Sequence, residues 1–96
     1  MSLYVISCMD KPGSLDKRMA TREAHLAYVK ATEIVRFRLG GPFLSNDGTM
    51  KGSMLILEAD DRAKIDEFMK NDPYGMANLF ESVEVRPWKV TVGSLD

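Results

Sequence analysis

Two short runs, residues 3–9 and 52–59, are apolar on both sides of an extended strand. Successive side chains of a strand point to opposite faces. In the first run Leu3, Val5 and Met9 therefore face one way, and Tyr4, Ile6 and Cys8 the other. In the second, Leu55 and Leu57 oppose Met54 and Ile56. A sheet with one wet face shows polar residues at every other position. This chain does not, so its sheet must be covered on both faces.

The segments between these runs supply cover for one face. Pro12-Gly13 breaks the first strand, and Ser14 is a good N-cap for a long helix over residues 14–34. At helical spacing, Met19, Leu26 and Val29 form an apolar stripe with Leu15 at its end. A second strand follows over residues 36–44, with Phe37 and Leu39 alternating with Arg36 and Arg38. Gly40-Gly41-Pro42 inside it predicts a bulge or a close backbone approach. Asp47-Gly48 marks a hairpin into residues 52–59. Asp60-Asp61 caps a second helix through about residue 70, with Ile65, Phe68 and Met69 inward. Asn71-Asp72-Pro73-Tyr74 stops it, because a residue before proline avoids the helical region. A short helical turn over 74–78 and a fourth strand over 80–86 complete the order; Pro87 marks an edge or a bulge, and residues 88–92 form an extended tail. Strand, helix, strand, strand, helix, strand is the ferredoxin-like α+β arrangement, an antiparallel sheet with two helices on one face. Residues 1–96 read as a single domain. The second face then requires either the tail, through Trp88 and Val90, or an identical subunit. Monomers seldom expose apolar patches beyond a few hundred Å², so the reading is a homodimer through the sheet face and the tail.

Composition removes several classes of function. The net charge is −1, with 28% charged and 45% hydrophobic residues. That balance gives no case for nucleic acid or an anionic membrane surface. No apolar run approaches the roughly 20 residues that cross a bilayer. One cysteine and no leader-like start predict a cytoplasmic location. No Cys/His spacing suits a metal, and Gly40-Gly41 lacks the spacing of a dinucleotide fingerprint, so neither metal nor cofactor is expected.

The chemistry rests on the one histidine, His25. It lies on the flank of the helical stripe, with Thr21 and Arg22 as its neighbours one turn back. A general base needs a carboxylate to fix its tautomer. Asp72, set in a loop by Pro73, and Glu33, two turns along the same helix, are the two candidates, with Asp72 preferred. Arg22 and Arg18 offer guanidinium forks for an anionic group, or else a solvated flank pairing with Glu23 or Asp16. Ser53 and the backbone at Gly40-Gly41 supply polar contacts to a small pocket. Cys8 reads as buried and inert.

Several of these residues carry a resemblance. Tyr4-Val-Ile, Asp10-Lys-Pro-Gly-Ser-Leu15, Thr21-Arg-Glu-Ala-His-Leu26, Gly41-Pro42, Gly52-Ser53, Asp72-Pro-Tyr74 and Glu84-Val-Arg-Pro-Trp88 resemble the YciI-like (YCII-related) family. The resemblance runs over nearly the whole chain. It implies a subunit of a dimeric α+β barrel and a pocket that holds His25 with an aspartate. It also implies similarity in fold to muconolactone isomerase and to small lyases acting on hydroxylated, sometimes halogenated, rings. Many members carry an acidic residue followed by glycine near the end of the first helix, where this chain has Glu33-Ile34-Val35.

The expectation is thus a cofactor-free lyase or isomerase acting on a small anionic metabolite. His25 and Asp72 would be catalytic, and Arg22, Ser53, Gly41 and Tyr74 would bind substrate. The rival from another class is a metabolite-binding or accessory domain without turnover.

Overall fold

A computed structural model describes residues 1–95. Its elements are β1 (Ser2–Asp10), α1 (Leu15–Ala31), β2 (Arg36–Leu44), β3 (Met50–Ala59), α2 (Arg62–Asn71), α3 (Pro73–Met76) and β4 (Phe80–Trp88). The four strands form one antiparallel sheet in the order β2-β3-β1-β4, the ferredoxin-like arrangement.

Local chemistry sets the boundaries. Gly13 takes a left-handed φ of 71°, turning the chain from β1 into α1. Ser14 occupies the N-cap position, but its side chain makes no capping bond; only its carbonyl accepts, from Arg18 N–H at 2.9 Å. The helix ends at Ala31, three residues short of the expected end. Thr32 is already extended, and its hydroxyl accepts from Ile34 N–H. Asp61 caps α2 by accepting from Lys64 N–H. Asp72 lies between α2 and α3 with extended backbone, as the following Pro73 demands.

Face assignment along β1 and β3 follows the alternation. Tyr4 pairs with Leu57, Ile6 with Leu55 and Cys8 with Ser53, all buried beneath the helices. Ile65 and Phe68 of α2 and Val29 of α1 pack onto that face. Burying an aliphatic or aromatic side chain contributes roughly 1.5–3 kcal/mol each, so this layer is the main apolar support of the fold.

In β2 the expected alternation shifts. The register slips between Phe37 and Leu39, so Phe37 pairs with Leu57 on the helix face and Leu39 with Ile56 on the other. One irregularity therefore falls at Arg38 and a second between Phe43 and Leu44, and pairing continues through Gly40, Gly41 and Pro42 between them. Gly40 is still a close approach: a Cβ there would lie 2.8 Å from Leu55 Cδ2 and 2.9 Å from the Met54 carbonyl.

The stripe expected on α1 is displaced. Leu15, Met19 and Leu26 are all exposed, Met19 by half, while Arg18, His25 and Val29 are buried. The buried face is rotated by about 80° from the apolar one. His25 is thus on the inward face and not on a flank. At the other end, Trp88 closes β4 opposite Leu3, and the described residues after it, 89–95, form neither helix nor strand. Val92 is 91% exposed, so that part of the tail does not blanket the second sheet face. No helix among the described residues is long and apolar enough to cross a membrane.

Candidate active site

Arg18, Arg22, His25 and Val29 follow one another at helical spacing along the inner side of α1. Opposite them stand Phe37 and the Gly40-Gly41-Pro42 segment of β2, Ser53 and Leu55 of β3, and Tyr74 of α3. These residues enclose a cavity of about 70 Å³. Its floor is made by the buried Arg18, His25, Ser53, Leu55 and Tyr74, and its rim by Leu26, Gly40, Gly41 and Pro42, which are exposed.

His25 and Asp72, 47 residues apart, meet there. His25 Nδ1 lies 2.8 Å from Asp72 Oδ1, and both side chains are almost wholly buried. The same Asp72 oxygen accepts from Tyr74 N–H at 3.0 Å. A carboxylate is acceptor-only when ionised, so this contact puts the imidazole proton on Nδ1. The lone pair is left on Nε2, which has no hydrogen-bond partner among the described residues. Asp72 Oδ2 is buried and likewise unpartnered among them. Glu33, the other acid considered, is exposed beyond the end of α1.

Tyr74 is the centre of a stack. Its ring lies 4.0 Å from that of His25, with 15° between the planes, and the Arg18 guanidinium carbon is 4.7 Å from its centroid. Phe80 meets it edge-on. Burial raises the Tyr74 pKa above the ordinary phenol value, against the pull of Arg18 and Arg22, so the ring stays neutral.

Arg18 is not the free fork that the sequence offered. Its Nε donates to Asp10 Oδ2 at 2.6 Å, and its Nη2 donates to Asp10 Oδ1 at 3.0 Å and to Ser53 Oγ at 2.8 Å. Burial works against the charge, but the hydrogen bonds and field of Asp10 outweigh it and hold the Arg18 pKa above its usual value. Neither Asp16 nor Glu23 is the partner. Asp10 is the residue that sequence reasoning missed: it reads as a strand terminator, and nothing local ties it to a side chain eight positions on. Arg22 is half-buried at the rim, with no ion pair among the described residues, so it is the uncompensated cation of the cavity. Gly41 contributes backbone alone, and a Cβ there meets nothing within 4 Å. Cys8 is buried beneath the site, and desolvation, with the nearby Asp72 charge, pushes its thiol up to about 12.

Similarity to known proteins extends over nearly the whole chain. The family model of the YCII-related domain matches residues 2–89. A protein from Escherichia coli O6:H1 described as Protein YciI is 34% identical over 94 residues, 91% of this chain and 96% of its own. An uncharacterized protein of Haemophilus influenzae is 32% identical over 93 residues, 90% and 95% of the two chains. Among solved structures, a 5-chloro-2-hydroxyhydroquinone dehydrochlorinase from Burkholderia phenoliruptrix AC1100, in complex with 2,5-dihydroxybenzoquinone, superposes with a TM-score of 0.82. It is 38% identical, and the match covers 91% of this chain and 93% of that one.

Proposed function

The chain belongs to the YCII-related domain family, and on that premise we propose that it is a small lyase or isomerase acting on a hydroxylated, anionic ring compound. The observation that carries this reading is the buried His25–Asp72 contact in the wall of a cavity. His25 Nε2 takes a proton from carbon or oxygen of the substrate. Asp72 holds the Nδ1 proton and balances the imidazolium that forms. The electron pair released on the substrate then expels a neighbouring leaving group or shifts a double bond. His25 returns its proton to the leaving group or to the new carbon position.

The dimensions suit a flat molecule. A cavity of about 70 Å³ is smaller than the ~150 Å³ that enclose a benzene ring. A six-membered ring would therefore seat with one edge on the floor and the other at the rim. Arg22 stands there to pair with an anionic oxygen, and the Gly41-Pro42 backbone passes close by. Likeness to the dehydrochlorinase supports a hydroxylated and chlorinated ring as the first substrate to try.

We also propose that a second copy of the chain covers the open sheet face, where Leu39, Val5, Met54 and Ile56 lie together, and that the protein works in the cytoplasm.

The test is turnover of chlorinated hydroxyhydroquinones and of lactone acids, followed by absorbance, with a His25→Ala variant alongside. General acid–base catalysis is typically worth 10²–10⁴-fold, and a loss of about that size is expected. Full turnover by His25→Ala would reject the role. Binding of the same compounds without conversion would favour a metabolite-binding domain instead.

A further inference from the structure

The buried pair Asp10–Arg18 takes no part in the proton transfer described above, yet it touches two of the residues that line the cavity. We propose that Arg18 is a positioning residue: it makes Ser53 a dedicated hydrogen-bond donor to an oxygen of the bound molecule, and it clamps the Tyr74 ring against His25. This rests on the reading of His25 as the base.

A hydroxyl has one proton to give and two lone pairs to receive. Arg18 is donor-only and cannot lose its charge in any ordinary range of pH, so its Nη2 always occupies a lone pair of Ser53 Oγ. No acceptor for the Ser53 proton is found among the described residues. Ser53 is buried yet lines the cavity, so that proton is left to a molecule bound there. Asp10 engages the guanidinium through both carboxylate oxygens, so Arg18 contributes direction and no net charge to the floor.

Arg18 and His25 are seven residues apart on α1, about 10.5 Å along its axis. Each lies within 5 Å of the Tyr74 centroid, so the ring is held between them. The floor therefore includes an obligate donor, Ser53 Oγ–H, and an acceptor, His25 Nε2, besides the neutral Tyr74 hydroxyl, which can serve as either. The complementary ligand carries a carbonyl or phenolate oxygen on one side and an acidic O–H or C–H on the other, as hydroxyquinones and their reduced forms do.

Binding of 2,5-dihydroxybenzoquinone by titration calorimetry tests the first half. Ser53→Ala is expected to bind about tenfold more weakly, the scale of one charge-assisted hydrogen bond. Arg18→Lys, which keeps charge but not the fork, is expected to weaken binding at least as much. The double variant should bind no more weakly than Arg18→Lys alone, because the Ser53 donor depends on Arg18 for its direction. Full additivity would overturn the relay. The second half is read by NMR without ligand. In the parent protein the Tyr74 ring should flip slowly; Arg18→Lys should speed the flip and move the His25 ring signals, while Ser53→Ala leaves both in place. An Arg18→Lys protein with unchanged flips and unchanged His25 signals would refute the clamp. If Arg18→Lys does not fold, the paired change Asp10→Asn with Arg18→Met removes both charges together and serves in its place. Should the parent protein not bind the quinone, the ring-ligand reading falls, and the NMR measurements still decide the role of Arg18.

Discussion

Asp72→Asn separates the two things Asp72 does for His25, orientation and charge. The substituted amide keeps an oxygen and gains an NH2. Which end faces His25 is decided by Tyr74, whose backbone N–H donates to the same oxygen at 3.0 Å. Turning the NH2 to that position would set donor against donor at Tyr74 N–H, and His25 could meet it only by moving its proton to Nε2. The amide oxygen therefore stays, and the Nδ1–H tautomer of His25 stays with it. Asn caps α3 as well as Asp does. The NH2 replaces Asp72 Oδ2, which has no partner among the described residues, so one unsatisfied buried group is exchanged for another and stability should change by less than about 2 kcal/mol. What is lost is the negative charge opposite an imidazolium. Hydrogen bonds to charged groups contribute about 1.5–3 kcal/mol, so kcat should fall roughly 10- to 150-fold, less than for His25→Ala. The assays are steady-state turnover of the substrate found by screening and nitrogen-15 NMR of the imidazole. An Asp72→Asn protein with parental kcat would refute the argument. So would one whose His25 carries its proton on Nε2, for then orientation and not charge would be the quantity removed.

Three other outcomes follow from the geometry. Gly52→Ala should destabilise the protein by about 1–3 kcal/mol, because the new Cβ would meet the Cys8 carbonyl; Gly41→Ala, with nothing within 4 Å, should unfold in urea like the parent. Cys8 holds its proton to about pH 12 when folded and has an ordinary value of 9.0, so its contribution to stability is complete below about pH 9 and is lost as pH rises toward 12. Cys8→Ala should flatten that part of the stability-versus-pH curve, and in the native parent protein Cys8 should resist thiol reagents at pH 8. The parent protein should sediment as a dimer, and Leu39→Asp, placed on the open sheet face, should shift it to a monomer; a monomeric parent would remove the proposed second copy.

The sheet was legible because its signals are local. The apolar, β-branched runs at residues 3–9 and 52–59, the Asp47-Gly48 turn and the stop at Pro73 each act over a few positions, and the strands and α2 lie close to where these signals put them. The helix α1 was legible as an element but not as a surface. Hydropathy selects Leu15, Met19 and Leu26, whereas the fold buries Arg18 and His25. A polar face is buried only when partners satisfy it, and those partners, Asp10, Ser53 and Asp72, come from other elements. Nothing in a periodicity reports them. The Asp-Pro step did point to Asp72, because proline fixes where that backbone must turn.

The apolar cluster of Ile6, Leu55, Leu57, Ile65 and Phe68 sits between the sheet and α2, and α1 joins it chiefly through Val29 and through the Tyr28 hydroxyl, which donates to the Phe68 carbonyl. The N-terminal half of α1 is held instead by the Arg18 pair and the Tyr74 stack. A buried ion pair is weak support for stability, since apolar residues of similar volume serve as well or better. Its contribution here is directional: a guanidinium fork fixes where a hydroxyl and a ring must lie, as apolar packing would not. The half of α1 that bears Arg18 and Arg22 is therefore the half that the core constrains least. Substitutions there should change ligand preference before they change the fold.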